Sequence, residues 1–397
     1  MRKTMFLSIA AAMLAGSLFA APEAASIEAR AREAIDKGLD WLASQQQTNG
    51  VWSEPSFPAL TALPAWAMAG AGREVDRPRI AKAVAFVKSQ SREDGGIYAI
   101  VPGRRGGVLG TYNTAIAMTA LHYCDKAGSV RVIQKAREYV AATQVTGEDE
   151  YRGGFGYEKN SREGTTLTRS AAPKPYADLN NSAWVISAMR VTQDVEDLRP
   201  AGEKKVDVDW DAALGFVDRM QLKKGQEGLN PGDEGGFLYK PVVNKPVDDS
   251  KNSKNVPKVG KSGKPFLRSY GSITYSGLLS MIYAQVSRDD PRVVSAIDYA
   301  RRHWTVDENP GMGQQGVYYY FTIMARALSL VDVNVLPAAE EGGKPVAWRD
   351  ELIEKVLELQ DKDGHWANPN NRFMEGNPIL STSYGVLTLE YALRMFK

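Results

Sequence analysis

The chain is 397 residues long and carries 49 basic and 47 acidic side chains, and hydrophobic residues make up 43% of it. Without Arg2 and Lys3, which belong to the leader described next, the charges balance, so no net charge attracts nucleic acid and no nucleic-acid partner is expected. Cys124 is the single cysteine, which excludes an internal disulfide.

The N-terminal segment has the three-part pattern of a cleavable secretory signal. Arg2 and Lys3 precede an apolar run from Met5 to Phe19, and the small residues Ala20-Ala21 follow. We therefore predict a signal peptide at residues 1–20, cleavage near Ala20, and export to the periplasm or the medium. No later segment reaches the ~20 apolar residues that a membrane helix needs, so no membrane span is expected in the mature chain.

Two kinds of helical segment alternate along the rest of the chain. Apolar residues recur every three or four positions in the first kind, which predicts helices with one buried face, at 27–44, 79–90, 130–143, 210–221, 291–304 and 348–359. The second kind mixes Ala, Gly, Ser, Leu and Met all round, which predicts burial on nearly all sides, at 59–71, 112–124, 179–192, 273–286, 317–330 and 381–394. Pro64 is expected to kink or shorten the first of these.

This alternation predicts an all-α fold, an α/α toroid of six helical hairpins with an outer ring of helices around an inner ring. Closure of the ring leaves no hydrophobic face bare at either end. Residues 21–397 are expected to form this single domain, although their number alone would allow two. The domain contains a Lys-rich loop insertion at about 240–268.

The turns between paired helices repeat a pattern of Gln, Gly and an aromatic residue. The sixth turn contains Gln360, Asp363, Gly364 and Trp366, and the first turn repeats the spacing with Gln46, Gly50 and Trp52. Looser copies begin at Gln90, Gln144 and Gln221, and a degenerate one runs from Trp304 to Gly316. This internal self-similarity identifies the chain as a repeat protein.

With these turns, the chain resembles the prenyltransferase and squalene-oxidase repeat superfamily, which contains terpene cyclases and protein prenyltransferase β subunits. The resemblance covers residues of about 30–395 and implies the toroid fold. In that superfamily the Gln and Trp of the QW motif are structural. The resemblance therefore implies structural roles for Gln46, Trp52, Gln360, Asp363, Gly364 and Trp366.

The reactive motifs of that superfamily are missing or altered. Terpene cyclases that protonate their substrate use a D-x-D-D motif, whereas Asp207-Val208-Asp209-Trp210 ends in Trp and precedes an outer helix, where carboxylates act as caps. There is no DDxxD-like run to hold diphosphate through magnesium. His122 and Cys124 lie two residues apart on a helix and face different directions, which does not suit zinc.

A further relative is the thioester domain of complement proteins. The segment Gly311-Met312-Gly313-Gln314-Gln315 resembles its thioester segment, but Met312 replaces the reactive cysteine. No thioester can form, and no cofactor and no metal are expected.

If outer and inner helices run antiparallel, all inner helices begin at one end of the toroid, which we call the mouth. Their N-termini present N–H groups and positive dipole ends there, which favours an anionic ligand. The insertions at about 98–111, 156–178, 239–270 and 306–316 fall at the same end. The Lys-rich loop is either a solvated loop or a lid over an anionic substrate.

Polar and aromatic residues cluster where the inner helices begin, and they form the candidate site. Asp178 and Tyr275 are the candidate catalytic residues. The candidate ligand-binding residues are Tyr112, Asn113, Asn181, Tyr270, Gln315, Tyr319 and Tyr384. The alternative is that Asp178, Asn113 and Ser383 are helix caps and that the aromatic side chains fill the core.

Two functions are compatible with these features. The first is an exported toroid that binds a lipid-like or anionic ligand, or a protein partner, without cyclase or zinc chemistry. The second is an enzyme, cyclase-like or glycan-active, whose acid or base lies at the mouth. An Asp178 that points into the cavity favours catalysis, whereas an Asp178 bonded to the amides of its own helix favours capping.

Overall fold

The computed structural model describes residues 25–100, 109–158, 176–241, 258–259, 265–339 and 343–396. The predicted signal peptide and most of the Lys-rich loop lie outside these residues. In chain order the α-helices are α1 (Ile27–Gln45), α2 (Ala59–Ala71), α3 (Arg77–Ser89), α4 (Gly110–Ala141), α5 (Leu179–Val191), α6 (Gln193–Glu196), α7 (Trp210–Met220), α8 (Gly271–Tyr283), α9 (Pro291–Arg302), α10 (Val317–Val331), α11 (Trp348–Glu358) and α12 (Pro378–Ala392). Short 3-10 helices span Glu74–Asp76 and Arg372–Met374, and the two strands Lys258–Val259 and Pro265–Phe266 pair antiparallel.

The long helices form two concentric rings. The inner ring runs through α2, the first half of α4, α5, α8, α10 and α12, and contact between α12 and α2 closes it. The outer ring contains α1, α3, the second half of α4, α7, α9 and α11. The two halves of α4 meet at Asp125, where the backbone leaves the helical region (φ −159°, ψ 58°). The described residues therefore form an α/α toroid of six hairpins, and the predicted fold class is confirmed.

Different burial patterns separate the two rings. The outer helix α9 buries Val293, Ala296, Tyr299 and Ala300, which share one face. The inner helix α12 instead buries every residue from Ile379 to Ala392. Its buried hydroxyl groups have carbonyl partners, within the helix for Ser383 Oγ, which donates to Ile379 at 2.7 Å, and outside it for Ser381 Oγ, which donates to Glu375 at 2.6 Å. Within the described part of the chain, no helix combines the length and the apolar character needed to cross a membrane.

The first inner helix continues through its proline. The helix α2 has 13 residues, as many as α5 and α8. The amide that Pro64 lacks would bond to the carbonyl of Leu60, in the first turn, so the helix loses a bond only at its start. The expected shortening at Pro64 is not found.

In the first and the sixth turn, a glutamine side chain joins the turn to the next outer helix. Gln46 Nε2 donates to the carbonyls of Gly50 (3.1 Å) and Arg79 (3.0 Å), the second of which lies in α3. Gln360 Nε2 donates to the carbonyls of Gly364 (2.9 Å) and Ala34 (2.9 Å). Because Ala34 belongs to α1, this bond ties the last hairpin directly to the first.

The two tryptophans of these turns bond backward to the preceding outer helix. Trp52 Nε1 donates to the carbonyl of Leu42 at 2.8 Å, and Trp366 Nε1 donates to the carbonyl of Val356 at 2.8 Å. Both indoles are fully buried. A buried Trp needs a partner for its N–H, and these carbonyls at the helix C-terminus supply one.

Candidate functional site

A cavity of about 240 Å³ lies at the mouth of the toroid. All six inner helices contribute to its wall close to their N-termini, so they do begin at the same end. The lining residues are Phe57, Ala59, Leu60, Leu63, Leu109, Tyr112, Asn113, Tyr157, Asn180, Tyr239, Tyr270, Ser272, Asn309, Met312, Gly316, Tyr319, Phe373, Met374, Glu375, Leu380 and Tyr384. The wall is therefore mostly apolar, with polar atoms at a few points.

Tyrosine hydroxyls supply much of the polar surface of the cavity. The hydroxyls of Tyr157 and Tyr239 lie 2.5 Å apart. Tyr319 donates to Asn180 Oδ1 at 2.7 Å and lies 3.2 Å from Ser276 Oγ. Burial raises the pKa of Tyr157 and of Tyr319, so both hydroxyls are neutral at physiological pH.

Two further tyrosines pair across the ring. Tyr112 lies on α4 and Tyr384 on α12, and each side chain affects the pKa of the other. Burial raises the pKa of both side chains. The ring of Tyr112 also packs edge-on against Trp184, with centroids 5.9 Å apart.

Asp178 is bonded to its own helix. It is fully buried and caps α5, since its Oδ1 accepts the backbone N–H of Asn181 at 2.8 Å. Its Oδ2 accepts from Asn181 Nδ2 at 2.8 Å and from the hydroxyl of Tyr176 at 3.1 Å. Asp178 does not belong to the cavity wall. By the criterion set out above, this geometry favours a capping role.

Some inner helices are capped by the next hairpin. The N-cap positions of α2 and α8 hold Pro58 and Tyr270, which make no side-chain cap bond. Instead, Asn113 Oδ1 accepts the N–H of Ala59 at 3.1 Å, and Asn309 Oδ1 accepts the N–H of Ser272 at 2.9 Å. Asn113 therefore has the structural role that the alternative interpretation gave it, although it caps α2 and not its own helix.

Glu375 performs the same task for α10, whose N-cap residue is Gly316. Its Oε1 accepts the N–H of Tyr319 at 2.8 Å, and its Oε2 accepts from Asn368 Nδ2 at 2.8 Å. Burial raises the pKa of Glu375, although the hydrogen bonds from Asn368 and the backbone oppose this rise. With these N–H groups already bonded, the expected anion site at the mouth has no support among the described residues.

The structure sorts the predicted site residues into two groups. Tyr112, Asn113, Tyr270, Tyr319 and Tyr384 line the cavity, whereas Asp178, Asn181, Tyr275 and Gln315 do not. Tyr275 packs in the core against Tyr320, with ring centroids 5.8 Å apart, and its buried hydroxyl has no partner among the described residues. The carbonyl of Gln315 accepts from Asn309 Nδ2 at 3.1 Å and supports the cap of α8.

Sequence reasoning missed Tyr157, Tyr239 and Glu375. The two tyrosines occupy equivalent positions, because each follows the turn phenylalanine by two residues, after Phe155 and Phe237. That shared spacing was a usable signal. Glu375 had none, since it lies in a loop and caps a helix of another hairpin.

The centre of the inner ring below the cavity is filled by Arg326. Its guanidinium lies over the rings of Trp66 (5.2 Å), Trp184 (5.4 Å) and Tyr391 (5.3 Å). Its Nη2 donates to Ser187 Oγ at 2.6 Å. These partners come from α2, α5 and α12, on different sides of the ring, and Arg326 itself is nearly fully buried. Cation–π contacts with the rings stabilise it there.

Asp209, from the altered cyclase motif, and Cys124, from the rejected zinc pair, have structural roles. Asp209 caps α7, with Oδ1 accepting the N–H of Ala212 at 2.9 Å. The thiol of Cys124 donates to the carbonyl of Ala65 at 3.3 Å, and burial raises its pKa to about 12. A thiol with so high a pKa is not a reactive thiolate at neutral pH.

One group of described side chains has the donor atoms to hold a cation. Asp361, Asp363 and His365 bring three such atoms within 4.8 Å of one another in the turn after α11. Asp363 hydrogen-bonds His365, and the ring of His365 stacks on Trp41 at 5.0 Å. These contacts give the residues a structural role in the turn. The cluster is not part of the cavity wall.

No known protein family and no curated protein matches the chain in sequence. Solved structures do match in fold. A variant of the type II terpene cyclase MstE from Scytonema, in complex with geranylgeranyl dihydroxybenzoate, has a TM-score of 0.54 at 13% identity, over 93% of this chain and 99% of that chain. A second MstE variant, with the product merosterolic acid A, has a TM-score of 0.53 at 14% identity over the same shares.

A variant glycosidase has a TM-score of 0.51 at 10% identity, over 93% of this chain and 98% of that chain. At such identities the likeness shows the fold alone, an α/α toroid also adopted by a terpene cyclase and a glycosidase. The resemblance to the prenyltransferase and squalene-oxidase repeat superfamily is thus supported as a resemblance of fold.

Proposed function

We propose that this protein binds one apolar or amphipathic, isoprenoid-like molecule in the tyrosine-lined cavity at its mouth. The observation that carries the proposal is the composition of the wall, where aliphatic and aromatic carbon surrounds a few neutral hydroxyl and amide groups. Transfer of a hydrocarbon from water into a cavity with such a wall lowers the free energy.

The size of the cavity limits the ligand or the part of it that is enclosed. An apolar cavity of ~150 Å³ holds a benzene molecule of six carbon atoms. By proportion, the 240 Å³ here corresponds to roughly ten non-hydrogen atoms. The enclosed part is therefore about as large as two isoprene units.

The comparisons support an isoprenoid-like ligand more than a glycan. The MstE variant of the same fold is in complex with geranylgeranyl dihydroxybenzoate, which contains a long isoprenoid chain. A glycosidase needs two carboxyl groups facing each other across the bond that it cleaves. Among the described lining residues, Glu375 is the single carboxyl group, and N–H donors occupy both its oxygens.

Binding without catalysis also agrees with the state of the acidic groups. A general acid must present its proton to the substrate. Asp178 lies outside the wall and accepts three hydrogen bonds, and Glu375 caps α10. Acid catalysis by these groups is therefore not favoured.

We further propose that the protein is exported before it binds its ligand, in accordance with the pattern of residues 1–20. N-terminal sequencing of the protein from its native host tests this directly.

Filling the cavity is expected to abolish binding. Leu63 lines the cavity from α2 and is 1% exposed, so a Leu63→Trp side chain would occupy the space of the ligand. We expect the purified wild type to bind a hydrophobic fluorescent probe and geraniol, and the variant to bind both at least 30-fold more weakly. Isothermal titration and probe displacement measure this.

The matched control is Leu330→Trp. Leu330 is 39% exposed on α10 and does not line the cavity. This variant should bind as the wild type does, and circular dichroism should show the wild-type helix content in both variants. Equal binding by the Leu63→Trp protein would place the ligand elsewhere and overturn the proposal.

A further inference from the structure

The cavity wall is apolar where α2 forms it and polar on the opposite side. In the closed inner ring, α2 faces α8 and α12 faces α5. On the side of α2 the wall consists of Phe57, Ala59, Leu60 and Leu63, whereas α12 beside it contributes both the apolar Leu380 and the hydroxyl-bearing Tyr384. The side of α5 and α8 carries Tyr157, Asn180, Tyr239, Tyr270 and Ser272. The cavity is therefore amphipathic, which gives a ligand a preferred orientation.

The described wall offers nothing to neutralise a charged ligand. It contains no Lys, Arg or His among the described lining residues. The first N–H groups of α2, α8 and α10 are bonded to Asn113, Asn309 and Glu375. A buried charge without a partner is costly, so the described wall disfavours an anionic head group, and Arg268, whose charge acts on Tyr270, lies outside that wall.

The polar side of the wall, which carries Tyr157, Tyr239 and Tyr270 and is called the tyrosine side below, has a hydroxyl that can bond to a ligand. Tyr270 lines the cavity, and its hydroxyl has no hydrogen-bond partner among the described residues. Beside it, the partly exposed Tyr157 bonds Tyr239, whose hydroxyl lies 3.5 Å from that of Tyr176. Tyr176 in turn donates to Asp178 at 3.1 Å. This chain of hydroxyls, anchored on a buried carboxylate, fixes the tyrosine side rigidly.

We infer that the ligand is an uncharged amphiphile with a hydroxyl group, whose hydroxyl bonds to Tyr270 and Tyr157 and whose hydrocarbon part lies on Phe57, Leu60 and Leu63. This inference rests on the proposed function and specifies its ligand class. It assigns Tyr270 as a specificity-determining residue, and it makes Asp178 a positioning residue that acts through Tyr176 and Tyr239.

The test compares three probes with one carbon skeleton: geraniol, the hydrocarbon 2,6-dimethylocta-2,6-diene and geranyl diphosphate. We expect geraniol to bind the wild type at least as tightly as the hydrocarbon does, and geranyl diphosphate to bind at least 10-fold more weakly than geraniol. Tyr270→Phe should weaken geraniol about 3- to 10-fold, the usual effect of one hydrogen bond, and leave the hydrocarbon unchanged.

Tyr275→Phe is the matched control. Tyr275 lies in α8, the helix that Tyr270 precedes, and its hydroxyl also has no partner in the described part of the chain, but it is outside the wall, so its removal should change neither affinity. If the wild type binds the hydrocarbon and Tyr270→Phe binds geraniol unchanged, the inference is overturned and the proposed function stands. Tightest binding of geranyl diphosphate also overturns the inference. Binding of no probe overturns the proposed function itself.

Discussion

Gly153→Ala is expected to lower the free energy of unfolding by about 4 kcal/mol, enough to remove much of the stability of an ordinary domain. Gly153 has φ 84°, a left-handed conformation that costs a residue with a Cβ about 1–2 kcal/mol. A Cβ there would also lie 1.9 Å from the carbonyl oxygen of Ala212, in the backbone of α7. Since neither backbone can move alone, α7 must shift, and overpacking of this kind costs about 1–3 kcal/mol more.

Gly202→Ala separates the two contributions. Gly202 has φ 91°, but an added Cβ meets nothing within 4 Å. This control should lose only the 1–2 kcal/mol of the left-handed conformation. Urea unfolding followed by circular dichroism measures both variants. Equal losses would show that contact between the turn and α7 contributes nothing to stability, contrary to the close packing described here.

Close packing of this kind explains why the fold was predictable from the sequence. At Gly50, Gly95, Gly153, Gly235 and Gly364, φ lies between 83° and 101°, and an added Cβ would lie within 2.7 Å of a carbonyl oxygen of the next outer helix. The repeated glycine therefore marks a contact between successive hairpins at five turns of the toroid. The spacing of apolar residues predicted the helices of the two rings, since a helix buried on one face and a helix buried on all faces have different sequence patterns.

The site was less predictable because its polar groups act between hairpins. Asp178 and Asn113 were correctly placed at helix starts, but whether such a residue faces a cavity or an amide depends on its neighbours in space. Glu375 caps α10 from a loop 56 residues away from Tyr319, a distance over which local sequence carries no signal. The tyrosines of the wall come from loops and helix starts across the ring, and only the closed fold brings them together.

Glu196→Gln is expected to destabilise the protein by about 3 kcal/mol at neutral pH, as the loss of one partner does in a buried ion pair. Glu196 is 4% exposed and lies between two buried arginines. Its Oε1 is 3.1 Å from Arg137 Nε, and its Oε2 is 2.8 Å from Arg199 Nε and accepts the N–H of Val206 at 2.9 Å. With a neutral amide in this position, the charge of Arg137 is left inside the protein without adequate compensation.

The pH dependence tests the charge specifically. Burial alone would raise the pKa of Glu196, but the bonds from Arg199 and Val206 and the charge of Arg137 outweigh it, so the folded-state pKa lies below the usual value. The ion pair therefore stabilises fully above the unfolded pKa of about 4.3 and is lost as the pH falls through the lower folded pKa. The stability difference between wild type and Glu196→Gln should accordingly shrink as the pH falls from about 5 towards 3.

The control for this variant is Glu203→Gln. Glu203 bonds Arg131 at 2.9 Å and lies 3.6 Å from Arg199, but its side chain is 40% exposed, and exposed pairs of this kind contribute less than about 1 kcal/mol. Urea unfolding at a series of pH values should show a large, pH-dependent difference for Glu196→Gln and a small one for Glu203→Gln. A difference for Glu196→Gln that stays constant down to pH 3 would contradict the assignment, because the loss would then come from altered packing and not from the charge.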